Sequence, residues 1–297
     1  LDLNRARIAS SMGSILAYTG RLSDAMKQYR KARAFYSGSF CKSRPKFDRA
    51  RASIEHELGD LVREMEGDHA KGIEYYHRSK AWLADSYCMN RLDFDPDRAE
   101  NAWSLGNALA DTDDYPAAIK QYRSVQTLCA GDFCKHDSGL NELRVRNARS
   151  LAIALRVVGD HSAAVEQYFY SIDLCENHLE DWLSPEKQAC LGYADASELM
   201  EHMPDCQTWA AATSKRLDEI LKEKSRLDSN HRIEENTISI RDDFMRFHYN
   251  WLKYCIEMNE QRRIPEILFT VQNRHTGSDL MDKFEPAFPG ISLALVH

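Results

Sequence analysis

Small and apolar residues return along this chain on two periods. Within segments of about 15–20 residues they recur every three to four positions, the spacing of one buried helix face. Between segments the interval is far longer. A turn-forming residue falls at Gly20, Gly67, Asp113, Gly159 and Asp205, in steps of 47, 46, 46 and 46 residues. Five positions later stands a small residue: Ala25, Gly72, Ala118, Ala164 and Ala210. Four beyond that comes a tyrosine, at 29, 76, 122 and 168, replaced in the fifth copy by Ser214. Ahead of the turn lie Gly13, Gly59, Gly106 and Ala152, with Glu198 breaking the series. An aromatic–cysteine pair closes the first three copies, as Phe40-Cys41, Tyr87-Cys88 and Phe133-Cys134.

Each copy predicts two amphipathic helices joined by a tight turn, with small residues where the two must approach. The pattern places helices over 1–18 and 22–36, then 47–66 and 69–86. Asp95-Pro96-Asp97 opens the third copy, because Asp caps a helix and Pro suits its first turn. The fourth copy reads as helices near 139–158 and 162–179, and Ser184-Pro185-Glu186 opens the fifth. Past Ser229-Asn230 the pattern changes to a long helix from Ile233 to Met258 and another from Ile264 to about Lys283. Pro286, Pro289 and Gly290 then break it, ahead of an apolar tail. The expected organisation is five repeats (1–41, 42–88, 89–134, 135–180, 181–228), a degenerate or capping helical pair over 229–285, and a tail over 286–297 leading into a further domain.

The early Gly or Ala, the turn Gly, and the later Ala, aromatic and Ala resemble the tetratricopeptide (TPR) repeat. That resemblance implies an all-α fold, a right-handed superhelical solenoid of antiparallel helix pairs. A standard unit has about 34 residues. Most of the roughly 12 extra residues per unit fall in the end of one second helix, the inter-unit loop and the start of the next first helix, which resembles long-helix variants of the family. The resemblance also implies that the first helix of each unit lines a concave groove, which holds an extended peptide or a partner helix.

Composition narrows the class. Charged residues make up 29% and hydrophobic ones 43%, and mean hydropathy is -0.56, which suits stacked amphipathic helices with two wet faces. A net charge of -7 and a pI near 5.9 argue against general binding to nucleic acid phosphates. No apolar run reaches the roughly 18 residues that span a bilayer. Eight cysteines fall within predicted helices and connectors of a chain too large for a disulfide-dense secreted domain. Reduced thiols in a cytoplasmic protein are expected. The chain does not begin with Met, and a piece of something longer is expected.

Recognisable reaction chemistry is sparse. No GxxxxGK, GxGxxG or HExxH motif occurs, and Cys129 and Cys134 lack the spacing of a zinc knuckle. His202 and Cys206 are four apart but straddle Pro204 at a predicted turn, so no metal is assigned there. Neither cofactor nor catalytic role is expected for this segment. The repeat register instead nominates groove positions. These are Arg7, Ser10, Ser14 and Ala17 in unit one, and His56, Asp60 and Arg63 in unit two. Unit three offers Glu100, Trp103, Asn107 and Ala110, unit four Arg146, Arg149, Ile153 and Arg156, and unit five Asp195, Leu199 and His202. Arg146, Arg149 and Arg156 share one helical stripe. With Trp103 and Asn107 they form the candidate partner-binding site, a cationic pocket edged by an aromatic ring and suited to acidic groups.

Three functional readings follow. The first is a non-enzymatic scaffold binding a peptide or partner protein in the groove, with no nucleic acid, no membrane and an undefined oligomeric state. Arg263 to Phe284, with Arg274, Leu280 and Asp282, is similar to the final helix preceding CHAT caspase-like protease domains. This implies the regulatory or substrate-recruiting half of such a protease. The third is a peptide-sensing array of the bacterial signalling type.

Overall fold

The computed structural model describes residues 2–89, 91–178, 185–203, 205–227 and 234–258, together with 263, 264, 267, 270 and 271. Among the described residues the secondary structure is helical throughout, with no strand. The chain forms two compact units, Leu1–Asp160 and His161–His297. The first unit holds α1 (Asp2–Tyr18), α2 (Leu22–Tyr36), the short α3 (Ser39–Lys42), α4 (Asp48–Glu66), α5 (His69–Leu83), the short α6 (Ser86–Met89), α7 (Asp95–Ala110), α8 (Tyr115–Ala130) and α9 (Asn141–Val157). The second holds α10 (His161–His178), α11 (Pro185–Ser197), α12 (Cys206–Leu227) and α13 (Glu234–Glu257).

In the first unit α1 packs on α2, α4 on α5 and α7 on α8 as antiparallel hairpins. The turns between them need a left-handed residue. Positive φ occurs at Gly20, Gly67, Asp113, Gly159 and Asp205, the five positions that the repeat marks as turns. Glycine adopts this conformation freely, and Asp is among the few other residues that tolerate it. Asp68 and Asp114 then cap α5 and α8, accepting from the backbone N–H of Lys71 and Ala117.

The close approach inside each hairpin is a tyrosine ring laid on a glycine. A Cβ added at Gly13, Gly59 or Gly106 would come within 2.9, 2.8 and 2.6 Å of the rings of Tyr29, Tyr76 and Tyr122. Those three rings are buried to within 2% of full enclosure. The small residues of the first helices therefore make room for the aromatic of the second.

Hairpins stack through a regular joint: α2 packs on α4, α5 on α7, and α8 on α9. The extra residues of the long repeat are ordered here. The second helix of unit two ends at Leu83, short of the expected 86, because the chain bends at Ala84 into α6. Each connector runs through a short helix or turn and then a single 3-10 turn, at Pro45–Phe47, Leu92–Phe94 and Ser138–Leu140. Phe47, Phe94 and Leu140 anchor these turns in the core, and Cys41, Cys88 and Cys134 are fully buried beside them.

An arginine staples each connector. Arg51 donates to the carbonyls of Tyr36 and Cys41, Arg98 to those of Leu83 and Cys88, and Arg144 to those of Cys129 and Cys134. The residue three positions earlier, Asp48, Asp95 or Asn141, holds the guanidinium from the other side. Two buried asparagines add a second tie: Asn101 Nδ2 donates to the Tyr76 carbonyl at 3.2 Å and Asn147 Nδ2 to that of Tyr122 at 3.0 Å.

In the second unit α11 lies against α10 and α13, and its contact with α12 is slight. The tyrosine missing at Ser214 is answered from α13. Ser214 Oγ and His248 Nε2 are 2.8 Å apart in the core, beside Phe244, Phe247 and Trp251. Trp251 Nε1 donates to Gln207 Oε1, and Arg246 pairs with Asp195 at 2.6 Å. Most of the expected helix over 264–283, the tail and most of the CHAT-like stretch lie outside the described residues.

Candidate protein-binding face

The first helices α4, α7 and α9 lie side by side. Polar ties cross between them: Arg49 pairs with Asp97 at 2.8 Å, Arg63 with Asp111 at 2.6 Å, and His56 Nδ1 meets Asn101 Oδ1 at 3.4 Å. The floor of this face is set by the tyrosines. Each ring passes over its glycine, and its hydroxyl emerges beside the residue that follows. Tyr29 meets Ser14 at 3.0 Å and donates to Glu57 at 3.0 Å, Tyr76 donates to Asp60, and Tyr122 donates to Asn107 Oδ1 at 2.8 Å. Burial raises all three phenols above their ordinary range, so they stay protonated donors.

Around His56 the face is acidic, which the sequence reading did not foresee. His56 Nε2 lies 3.3 Å from Asp60 Oδ2, and its ring packs on Tyr76 with centroids 5.5 Å apart. Burial alone would lower the imidazole. The hydrogen bond to Asp60 and that carboxylate's charge, with Glu100 and Glu57 nearby, instead carry it up to about 9. Burial also opposes ionisation of Asp60, but the His56 and Tyr76 hydrogen bonds hold it below its usual value. Glu57 is raised by burial, partly offset by the Tyr29 hydroxyl. A charged imidazole among carboxylates is the state this cluster stabilises.

The nominated site residues fall on α7 and α9. The Arg146 guanidinium sits 5.7 Å from the Trp103 ring centroid and pairs with Glu142 one turn back. Trp103 is half-buried against the α7–α8–α9 core, and its Nε1 is enclosed with no hydrogen-bond partner. Asn107 is half-buried and holds Tyr122. Arg149 and Arg156 are half-buried, and each makes an interaction of its own. Of the unit-five positions, Asp195 and Leu199 are buried at 6% and 3% exposure. They pack in the second unit's core, because α13 covers α11 there, and do not line a groove.

A pocket of about 250 Å3 opens between α5, α7 and α8, lined by Leu83, Met89, Ala102 and Leu128 with Lys80 and Arg98. Among the described residues no group of three or more His, Cys, Asp or Glu side chains is arranged to hold a metal, and no helix is long and apolar enough to cross a membrane. The Ser214–His248 pair has the elements of a nucleophile and base. Both are enclosed, however, and His248 Nδ1 faces the Phe244 carbonyl, whereas a catalytic triad sets a carboxylate at that nitrogen.

A hairpin repeat with a glycine–tyrosine contact and stacked first helices defines a TPR-like fold. No family model matches the chain, and neither does any curated protein. Among solved structures it is similar to a Podosopora anserina protein described as a kinesin light chain with nearly identical TPR-like repeats. Identity is 16%, coverage 76% of this chain and 99% of that one, and the TM-score 0.57. It is also similar to PilF of Pseudomonas aeruginosa, at 14% identity, 96% and 98% coverage and a TM-score of 0.49. At such identities the likeness concerns the fold.

Proposed function

We propose that this chain is a non-enzymatic scaffold that binds an extended peptide or partner segment along the face of α4, α7 and α9. The carrying observation is the exposed Arg146 guanidinium held 5.7 Å from the centroid of the half-buried Trp103 ring. Acidic groups of a partner segment suit that cation, with Arg149 and Arg156 further along the same stripe. The carboxylates around His56 on α4 favour a basic or amide-rich stretch two repeats before α9. Cys41, Cys88, Cys129, Cys134, Cys175, Cys206 and Cys255 are buried and outside any disulfide, which supports reduced thiols and a cytoplasmic setting.

The test is fluorescence anisotropy against short peptides graded in net charge. Peptides carrying acidic groups are expected to bind. Arg149→Glu should weaken them far more than Lys120→Glu, which lies exposed on α8. An exposed pair contributes about 0–1 kcal/mol, whereas a desolvated, hydrogen-bonded Arg–carboxylate pair is worth several. Equal, small losses for both variants would leave the arginines as solvated surface.

A further inference from the structure

In every later repeat of the first unit, one face of the first helix is covered by the repeat before it. Ile54, Leu58 and Leu61 of α4 are at most 3% exposed, and they belong to one core cluster with Tyr29, Ala32 and Tyr36 of α2. The register-equivalent residues of α7 (Asn101, Leu105, Ala108) and α9 (Asn147, Leu151, Ala154) are equally enclosed. N-terminal to each set stands the stapling arginine, which reaches backbone carbonyls 15 and 10 residues back along the same chain.

The same set is written on α1. Counting back 46 residues from α4, the staple pair Asp48–Arg51 becomes Asp2–Arg5, and the covered face becomes Ile8, Met12 and Ile15. Asp2 already holds Arg5 at 3.7 Å, but both side chains are more than half exposed. Ile8, Met12 and Ile15 are 60%, 45% and 64% exposed. A repeat that ends an array carries a polar outer face. This one carries an apolar stripe and a loaded staple.

We propose that α1 receives the second helix and trailing connector of another TPR-like repeat in the same polypeptide, with Arg5 clamping two carbonyls of that connector. The occupant lies in cis because each formed staple joins residues at fixed separations along one continuous chain.

The test extends the full chain at its N-terminus with a copy of residues 48–94 joined to Asp2, which then follows Phe94 as Asp95 does. Hydrogen exchange of the α1 amides and thermal unfolding are compared with and without the extension. The expected result is a gain in helical circular dichroism and α1 exchange slowed by at least about tenfold. Met12→Lys should be nearly silent in the chain as it stands and should cancel that protection in the extended one. Unchanged α1 exchange, an extension that stays unfolded, or Met12→Lys silent in both contexts overturns the proposal. Self-association of the unextended chain that Met12→Lys abolishes also overturns it, by giving the face to a second copy.

Discussion

At the scale of single residues, the glycine under each tyrosine is the tightest constraint. Tyr122 is 2% exposed, so its ring has nowhere to retreat when a methyl appears 2.6 Å away. Gly106→Ala is expected to cost about 1–3 kcal/mol, the range of overpacking, and to lower the melting temperature accordingly. Gly20→Ala, where nothing lies within 4 Å and only the left-handed backbone is strained, should cost about 1–2 kcal/mol by a different route. Replacing Tyr122 by Leu beside Gly106→Ala should recover part of the first loss and none of the second. His56 carries a pH dependence. Its folded pKa of about 9 lies above the unfolded value near 6.5. Its stabilising contribution is therefore fully present below about pH 6.5 and is lost as pH rises through about 9, up to about 3 kcal/mol in all. Urea unfolding across that window should show declining stability in the parent chain, and His56→Gln should flatten the decline.

At the scale of elements, the connectors distinguish this repeat from a shorter one. Their carbonyls are buried, and a buried carbonyl without a donor costs about 1–3 kcal/mol. Arg98 supplies donors to Leu83, Cys88 and Arg91 at once, while Asp95 neutralises it. Arg98→Ala is expected to destabilise by at least that amount in urea unfolding. Arg98→Lys should rescue little, since an ammonium lacks the planar fork that spans separate acceptors. The spacing of the staple is visible in the sequence as Asp-x-x-Arg at 48/51 and 95/98. On a helix such a pair ordinarily reads as a solvated ion pair of small worth. Only the path of the connector puts acceptors in front of it. The same holds for α13. Its length was legible from the chain, but its pairing of His248 with Ser214 and Arg246 with Asp195 depends on packing across 34 and 51 residues.

At the scale of the whole chain, recognition by a repeat array is spread over several first helices, so its electrostatics matter more than any one contact. The first unit presents carboxylates around His56 on α4 and cations on α9, two repeats apart. Binding of an acidic segment at the α9 end should weaken as salt rises, because exposed charges are screened over about 8–10 Å at ordinary ionic strength. Anisotropy titrations at two salt concentrations check this, and an affinity indifferent to salt would argue for an apolar mode of binding. The exposed stripe on α1 belongs to this scale as well, since it treats the first helix as an interior member of a longer stack.

The first three helix pairs, their period and the five turns were determined by the sequence alone. The reason is local: a left-handed turn demands Gly or Asp, and a buried helix face demands apolar residues every three to four positions. Trp103 and Arg146 were likewise nominated together, as groove positions on the first helices of adjacent repeats. The tertiary structure decided what those residues do. It turned Asn107 from a free contact into the acceptor for Tyr122, and it buried Asp195 and Leu199 beneath α13. It also gathered His56, Glu57, Asp60 and Glu100 into one charged cluster. These outcomes depend on which polar atoms meet across helices once water is excluded. No window of sequence shorter than the fold contains that information.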